Sequence, residues 1–181
     1  MKTVSICSSF YESGRPYLDA CMNSIVDAVV ATDCQAHMVV AIDNLQDPEG
    51  SLSKYANDLD LVMVPTADGT TISGVRNAGF KKAKSDTSDF LIFLDMDDLI
   101  AEQGIRLHLE SLAEADISYG DMELIDQQGR SLSRTLYSDI TIPQFVESVD
   151  VILQRNFLGL SNTAIRRTAL DRLPSPVPEH L

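Results

Sequence analysis

The chain has 181 residues, 44% apolar and 23% charged, a composition that suits one soluble domain with a sizeable core. Its 14 Lys and Arg stand against 27 Asp and Glu, a formal net charge of −13. That balance argues against any nucleic acid partner, because a nucleic-acid-binding surface needs a basic face to displace counterions. Phosphate-bearing small ligands stay open, since a bound metal ion reverses the local field. Cys7, Cys21 and Cys34 have no metal-ligand spacing and are odd in number, so buried free thiols in a reducing cytosol are expected. Met1-Lys2-Thr3-Val4-Ser5-Ile6 reads as a strand rather than a signal peptide, and no apolar run reaches membrane-spanning length. The expected localisation is cytoplasmic, with peripheral docking on a membrane left open.

In chain order, Val4-Ser5-Ile6-Cys7 is a short apolar strand ending at the polar pair Ser8-Ser9. Ser13-Gly14-Arg15-Pro16 has the form of a helix start, with Pro16 in the first turn. Leu18, Cys21, Met22, Ile25, Val26, Val29 and Val30 recur at helical spacing and predict an amphipathic helix to about Thr32. Residues 37–42 form a second apolar strand, ending at Asp43-Asn44. Strand, helix, strand opens a βαβ unit and therefore a parallel sheet with right-handed crossover. A loop at Gln46-Asp47-Pro48-Glu49-Gly50 leads to a short helix near residues 51–57 and a third strand at 61–65. Ala67-Asp68-Gly69-Thr70-Thr71 is a turn-forming loop, and Ser73 is a candidate N-cap for the helix carrying Val75, Arg76, Asn77, Gly79 and Phe80. Lys81, Lys82 and Lys84 suit that helix's C-terminal dipole and read as a solvated face.

The fourth strand is the informative one. Phe90-Leu91-Ile92-Phe93-Leu94 runs straight into Asp95-Met96-Asp97-Asp98. An unbroken apolar run of that length fits a strand buried on both faces of a mostly parallel sheet. Ligands bind beyond the C-terminal ends of such strands. Three acids placed there repel one another unless a cation or a hydrogen-bonding ligand compensates them. A divalent-metal site with a nucleotide pocket around it is the working expectation; a helix N-cap cluster is the plainer alternative.

Beyond it come a helix over about 103–115, an exposed or edge strand at 117–125, a turn at Gln127-Gln128-Gly129, a helix over 143–154 and a strand over 158–166. The tail Pro174-Ser175-Pro176-Val177-Pro178 is expected to be irregular. No repeat or low-complexity segment interrupts the chain, and one domain over residues 1–181 is expected.

These pieces resemble family 2 glycosyltransferases. The matching residues are Val4-Ser5-Ile6, Asp43, Gly74-Val75-Arg76-Asn77-Ala78-Gly79, Leu94-Asp95-Met96-Asp97-Asp98 and the later run from Gly159 to Arg167 followed by Leu170. The resemblance implies a GT-A-like α/β fold: a mostly parallel sheet flanked by helices, with a mixed or antiparallel segment in the C-terminal third. Residues 1–100 would form the nucleotide-sugar-binding half and 101–181 part of the acceptor side. It implies transfer of sugar from a nucleotide-diphosphate donor to a saccharide, lipid-linked or protein acceptor, metal-assisted and inverting, in polysaccharide or glycoconjugate synthesis. Asp97 and Asp95 would hold Mg²⁺ or Mn²⁺, the ion stabilising the departing nucleoside diphosphate. Asp95 would also lie near the ribose, Asp43 near the base edge, Asp68 and Arg76 near base or diphosphate, and Ser8 and Ser9 along the same cleft.

This sequence departs from the family pattern at Ser8-Ser9-Phe10-Tyr11 and at Asn44-Leu45-Gln46, where base recognition would be set. The family's general base lies in a Glu-Asp-like motif downstream, and here the chain stops at Glu179-His180-Leu181. The expectation is a truncated form or a protein without the usual base, and the catalytic residue stays unassigned. Two alternatives accompany the transferase: a catalytically silent nucleotide-sugar-binding module, and a haloacid-dehalogenase-like phosphatase using its own Asp-x-Asp, which Asp98 and Leu99 fit poorly. Arg76 has a plainer reading as an ion-pair partner of a carboxylate, and Arg166 and Arg167 as surface charges.

Overall fold

The computed structural model describes residues 1–154 and 157–172. The elements run β1 (Thr3–Tyr11), α1 (Arg15–Thr32), β2 (Gln35–Asp43), α2 (Pro48–Leu52), β3 (Asp60–Pro65), α3 (Ile72–Lys84), β4 (Phe90–Phe93) and α4 (Gly104–Ser111). They continue with β5 (Ile117–Tyr119), β6 (Glu123–Ile125), β7 (Ser131–Thr135), α5 (Val149–Gln154), β8 (Thr163–Arg166) and α6 (Arg167–Leu170).

Six strands form one sheet in the order β3-β2-β1-β4-β8-β5. β3, β2, β1 and β4 are mutually parallel, while β8 is antiparallel to both β4 and β5. The expected mostly parallel sheet with an antiparallel C-terminal segment is what forms.

Alternation along the strands divides the core between two faces. Val4, Ile6 and Phe10 of β1, Met38, Val40 and Ile42 of β2 and Ile92 of β4 pack with Leu18, Met22 and Ile25 of α1 and Ile105 and Leu109 of α4. Cys7, Val39 and Leu91, one position out of phase, pack with Phe80 and Ala83 of α3 and with Leu170. A strand buried on both faces must be apolar at every position, which is why the second and fourth strands were legible as continuous runs.

α3 sits close on the sheet at Gly79. A Cβ built there would stand 3.0 Å from Cys7 Sγ and 3.3 Å from Ala41 Cβ, on two adjacent strands. Gly79→Val is therefore expected to lower stability by about 1–3 kcal/mol, the usual cost of overpacking, read as a reduced midpoint in urea.

Several boundaries differ from expectation, each for a local reason. The Thr71 hydroxyl, not Ser73, caps α3, accepting the Gly74 N–H at 3.1 Å. The second helix starts earlier, at Pro48, because the Asp47 carboxylate accepts the Gly50 N–H at 3.1 Å. α4 ends at Ser111.

The stretch 117–125 is two strands of different sheets, because the chain is turned between them. Asp121 Oδ1 accepts N–H groups from Met122 and Tyr137 at 2.7 and 3.2 Å. β6 then pairs antiparallel with β7 across a turn in which Gly129 has φ +75°. The helix expected over 143–154 is confined to α5, and the strand expected over 158–166 to β8. Before β8 the backbone serves the Asn162 side chain instead of a ladder.

Arg166 and Arg167 are not free surface charges: their guanidinium groups donate to backbone carbonyls. Arg167 donates to the carbonyls of Ser88, Lys84 and Ala83 at 2.9, 2.9 and 3.3 Å. Arg166 donates to the carbonyl of Leu112. Arg167 thereby ties the start of α6 to the end of α3 and the loop before β4, and Arg166 ties β8 to the end of α4. The irregular tail at 174–178 and the terminal Glu179-His180-Leu181 lie outside the described residues. Among the described residues no helix is long and apolar enough to cross a membrane. Cys7 and Cys21 are buried, Cys34 is half-buried, and all three are free thiols.

Candidate functional site

The strand order places β2 on one side of β1 and β4 on the other, so the parallel sheet is wound outward in both directions from β1. Connections diverge at such a switch point and leave a crevice at the C-terminal ends of the strands.

The acids after β4 are held in a turn at that crevice. The Leu94 N–H still donates to the Cys7 carbonyl at 3.1 Å, and the Asp98 N–H then closes back on the Asp95 carbonyl at 3.0 Å. Met96 and Asp97 occupy the centre of this turn. Met96 is fully buried and its sulfur accepts the Tyr11 N–H at 3.5 Å. It lies so near Gly14 that an added Cβ there would stand 2.7 Å from Met96 Sδ. With Met96 plugged into the core, its neighbour Asp97 is turned out to solvent. The acids do not cap a helix: the next one, α4, has Gln103 at its N-cap.

A cleft of about 600 Å³ opens there, and Ser9, Asp43, Arg76, Asp95 and Asp97 all line it, together with Tyr11. Ser9 and Tyr11 share a face at the end of β1. The parallel register sets Tyr11 opposite Asp43 at the end of β2. Arg76 comes from the first turns of α3, and its Nη2 lies 3.0 Å from both carboxylate oxygens of Asp95. Two of the expected residues are not lining this cleft. Ser8 is 3% exposed, with its hydroxyl unpartnered among the described residues, and borders only a narrow void beneath. Asp68 is exposed on the loop before α3, outside the lining.

The electrostatics follow from burial and from the acid cluster. Burial, then repulsion from Asp97, Asp95 and Asp98, pushes the Tyr11 phenol up, so it remains a neutral hydroxyl at neutral pH. Burial raises the Asp98 carboxyl, a hydrogen bond from Ser161 opposes the shift, and Asp97 and Asp95 add to it. Glu12, also on the cleft wall, is held low first by the Arg15 guanidinium and then by the Gln46 N–H. It accepts from Arg15 Nε and Nη2 and from Gln46 N, each at 2.9 Å, and so anchors the loop after β2.

The donor set suits a hard divalent cation only in part. Among the described residues no three His, Cys, Asp or Glu side chains gather into a metal cage. Mg²⁺-type sites, however, combine one or two carboxylates with substrate phosphates. Asp97, exposed at the turn tip, fits that arrangement; Asp95 is shared with Arg76.

Tyr11, Asn44, Ser161 and Asn162 were not foreseen as site residues. Tyr11 was missed because β1 runs beyond its apolar stretch, and period-2 alternation from Ser9 is the signal that reaches it. Asn44 has φ +51° and its amide donates to Asp43 Oδ1 at 3.1 Å, orienting that carboxylate. Ser161 and Asn162 carry no local signal, since their partners are tens of residues away.

The family model for glycosyl transferase family 2 matches residues 5–173 of this chain. No curated protein matches it in sequence. Among solved structures it is similar to S. aureus TarS 1-349 in complex with UDP-GlcNAc, at TM-score 0.68 and 20% identity, covering 94% of this chain and 47% of that one. It is also similar to the mannosyltransferase PcManGT from Pyrobaculum calidifontis in complex with GDP-Man and Mn²⁺, at TM-score 0.58 and 14% identity, covering 94% and 46%. A third likeness is to 4-diphosphocytidyl-2C-methyl-D-erythritol synthase from Anaerococcus prevotii DSM 20548, at TM-score 0.54 and 15% identity, covering 92% and 71%. The chain spans about half the length of the first of these structures. At such identities the likenesses establish the fold, GT-A-like, and the third shows that this fold alone does not name a reaction.

Proposed function

The chain belongs to glycosyl transferase family 2, and from that premise we propose that the cleft at the switch point binds a nucleotide-diphosphate sugar for transfer to an acceptor. The observation that carries this reading is the convergence of Ser9, Asp43, Arg76, Asp95 and Asp97 on one crevice, from four separate parts of the chain. Residues 1–100 supply the donor half and residues 101–181 part of the acceptor half.

Each side chain has a chemical task in this reading. Asp43, held by Asn44, presents an acceptor oxygen to the N–H edge of a base. Tyr11, neutral and beside the acids, offers a hydroxyl or a ring face to base or ribose. Arg76 holds both Asp95 oxygens at 3.0 Å and keeps the carboxylate turned into the cleft, where it can accept from a ribose hydroxyl or a bound water. Asp97, with the donor diphosphate, would hold a divalent cation, and that cation would supply charge stabilisation for the departing nucleoside diphosphate. Mn²⁺ and GDP-Man in one structural neighbour, and UDP-GlcNAc in another, support the donor class. The general base stays unassigned, and inverting stereochemistry rests on the family.

Calorimetry of UDP and GDP against the full chain, with and without Mn²⁺, tests the reading. Binding at least about tenfold tighter with the metal is expected, because Asp97 would contribute a carboxylate to a cation that the phosphates also hold. Equal binding with and without metal overturns it. Hydrolysis or transfer of a labelled donor then separates a transferase from a silent binding module. Family membership leaves the phosphatase alternative without support.

A further inference from the structure

The turn that carries Asp97 is fastened from two sides. One fastening is Met96 in the core; the other comes from the loop before β8, the antiparallel strand paired with β4. Asp95 donates its backbone N–H to Ser161 Oγ at 2.9 Å, and the Ser161 side chain also faces Asp98, opposing the upward shift of that carboxyl. It is a latch across 66 residues of sequence.

What places Ser161 is its neighbour. Asn162 is 3% exposed and saturated with hydrogen bonds. Its Oδ1 accepts the Gly159 N–H at 2.7 Å and the Thr163 hydroxyl at 3.2 Å. Its Nδ2 donates to the carbonyls of Gly120 and Phe157 at 2.8 and 3.0 Å. The Gly120 N–H returns to the Asn162 carbonyl at 3.0 Å. The loop before β8 is thereby sewn to the end of β5, and its position is rigidly set. Fully satisfied buried polar networks of this kind specify one arrangement, because any slip leaves buried groups unpaired.

We propose that Ser161 is a positioning residue for the donor site: delivered by the Asn162-sewn loop, its hydroxyl latches the Asp95–Asp98 turn and sets where Asp97 presents its carboxylate. The acceptor-side half of the sheet thus fixes the geometry of the donor-side acids. The positioning role rests on the proposed donor site; the latch itself does not.

Ser161→Ala and Ser161→Thr on the full chain test this, with two readouts. The first is hydrogen exchange at the Asp95 amide, measured by NMR without metal or nucleotide. Exchange in Ser161→Ala is expected to be about tenfold faster, the equivalent of one ordinary hydrogen bond, while Ser161→Thr stays near wild type. The second is UDP binding with and without Mn²⁺. The metal-dependent increment is expected to shrink about tenfold in Ser161→Ala, with metal-free binding unchanged, and to be restored in Ser161→Thr. An Asp95 amide that exchanges at the wild-type rate in Ser161→Ala overturns the latch. Faster exchange with an intact metal increment, or equal weakening with and without metal, overturns the positioning role. If wild-type chain shows no metal increment with any nucleotide, the donor-site reading fails and the positioning role with it, while the exchange result still decides the latch.

Discussion

Asp97→Ala is expected to remove metal-dependent nucleotide binding, lowering the Mn²⁺-assisted affinity for UDP or GDP by about a hundredfold or more. Even the outer-shell partners of metal ligands are worth roughly 10–100-fold, so loss of a ligand itself should reach the upper end. The ligand-free protein should keep its stability to within about 0.5 kcal/mol, as is usual for exposed positions without structural partners. Asp97 is exposed at the tip of its turn and surrounded by like charge. Asp95→Ala should behave differently, because it also strips Arg76 of its ion-pair partner. Metal-free nucleotide binding should then change as well. Calorimetry with both variants separates the two acids: an Asp97→Ala protein that retains its metal increment would show that the cation is held elsewhere.

Asn162→Ala is expected to be the most destabilising single polar substitution in the C-terminal part of the chain, by about 2–4 kcal/mol. The substitution leaves the Gly159 N–H and the carbonyls of Gly120 and Phe157 without their partner in a buried setting. Each orphaned buried group costs about 1–3 kcal/mol, less where water or a small shift relieves it. For a domain of this size the melting temperature should fall on the order of 10 °C. Asn162→Asp should fare no better at neutral pH, since it loses the two donated bonds and adds a buried charge. Denaturant titration of both variants, at constant slope, checks the figure; a loss under about 1 kcal/mol would mean the loop is not held through this side chain.

These two residues also mark how far the chain could be read without coordinates. Asp97 was legible because its signal is local: five apolar residues, then acids, within one strand and its exit. A strand buried on both faces must be apolar throughout, and acids clustered at its end need compensation. The same locality made α1, β2 and α3 readable to within a few residues. Arg76 and Asp43 were readable as candidates through family resemblance, but not the bond from Arg76 to Asp95 or the seat of Asp43 opposite Tyr11. Ser8 and Asp68 are the expected residues that do not line this cleft. Strand alternation sends Ser9 and Tyr11 to the cleft, and Ser8 to the other face, with Ile6 and Phe10.

The C-terminal third was least legible. Residues 117–125 look like one strand because apolar and polar residues continue through Gly120 and Asp121. Only the backbone bonds taken by the Asp121 carboxylate and by Asn162 split that run between two sheets. Patterning along the chain therefore sufficed for fold class, for the central parallel strands and for the acid turn as a candidate ligand site. Packing in three dimensions settled which residues share the cleft, how Asp97 is aimed, and what holds it. The reason is range: periodicity and capping act over a few residues, whereas Ser161 reaches Asp95 and Asn162 reaches Gly120 across gaps of 66 and 42.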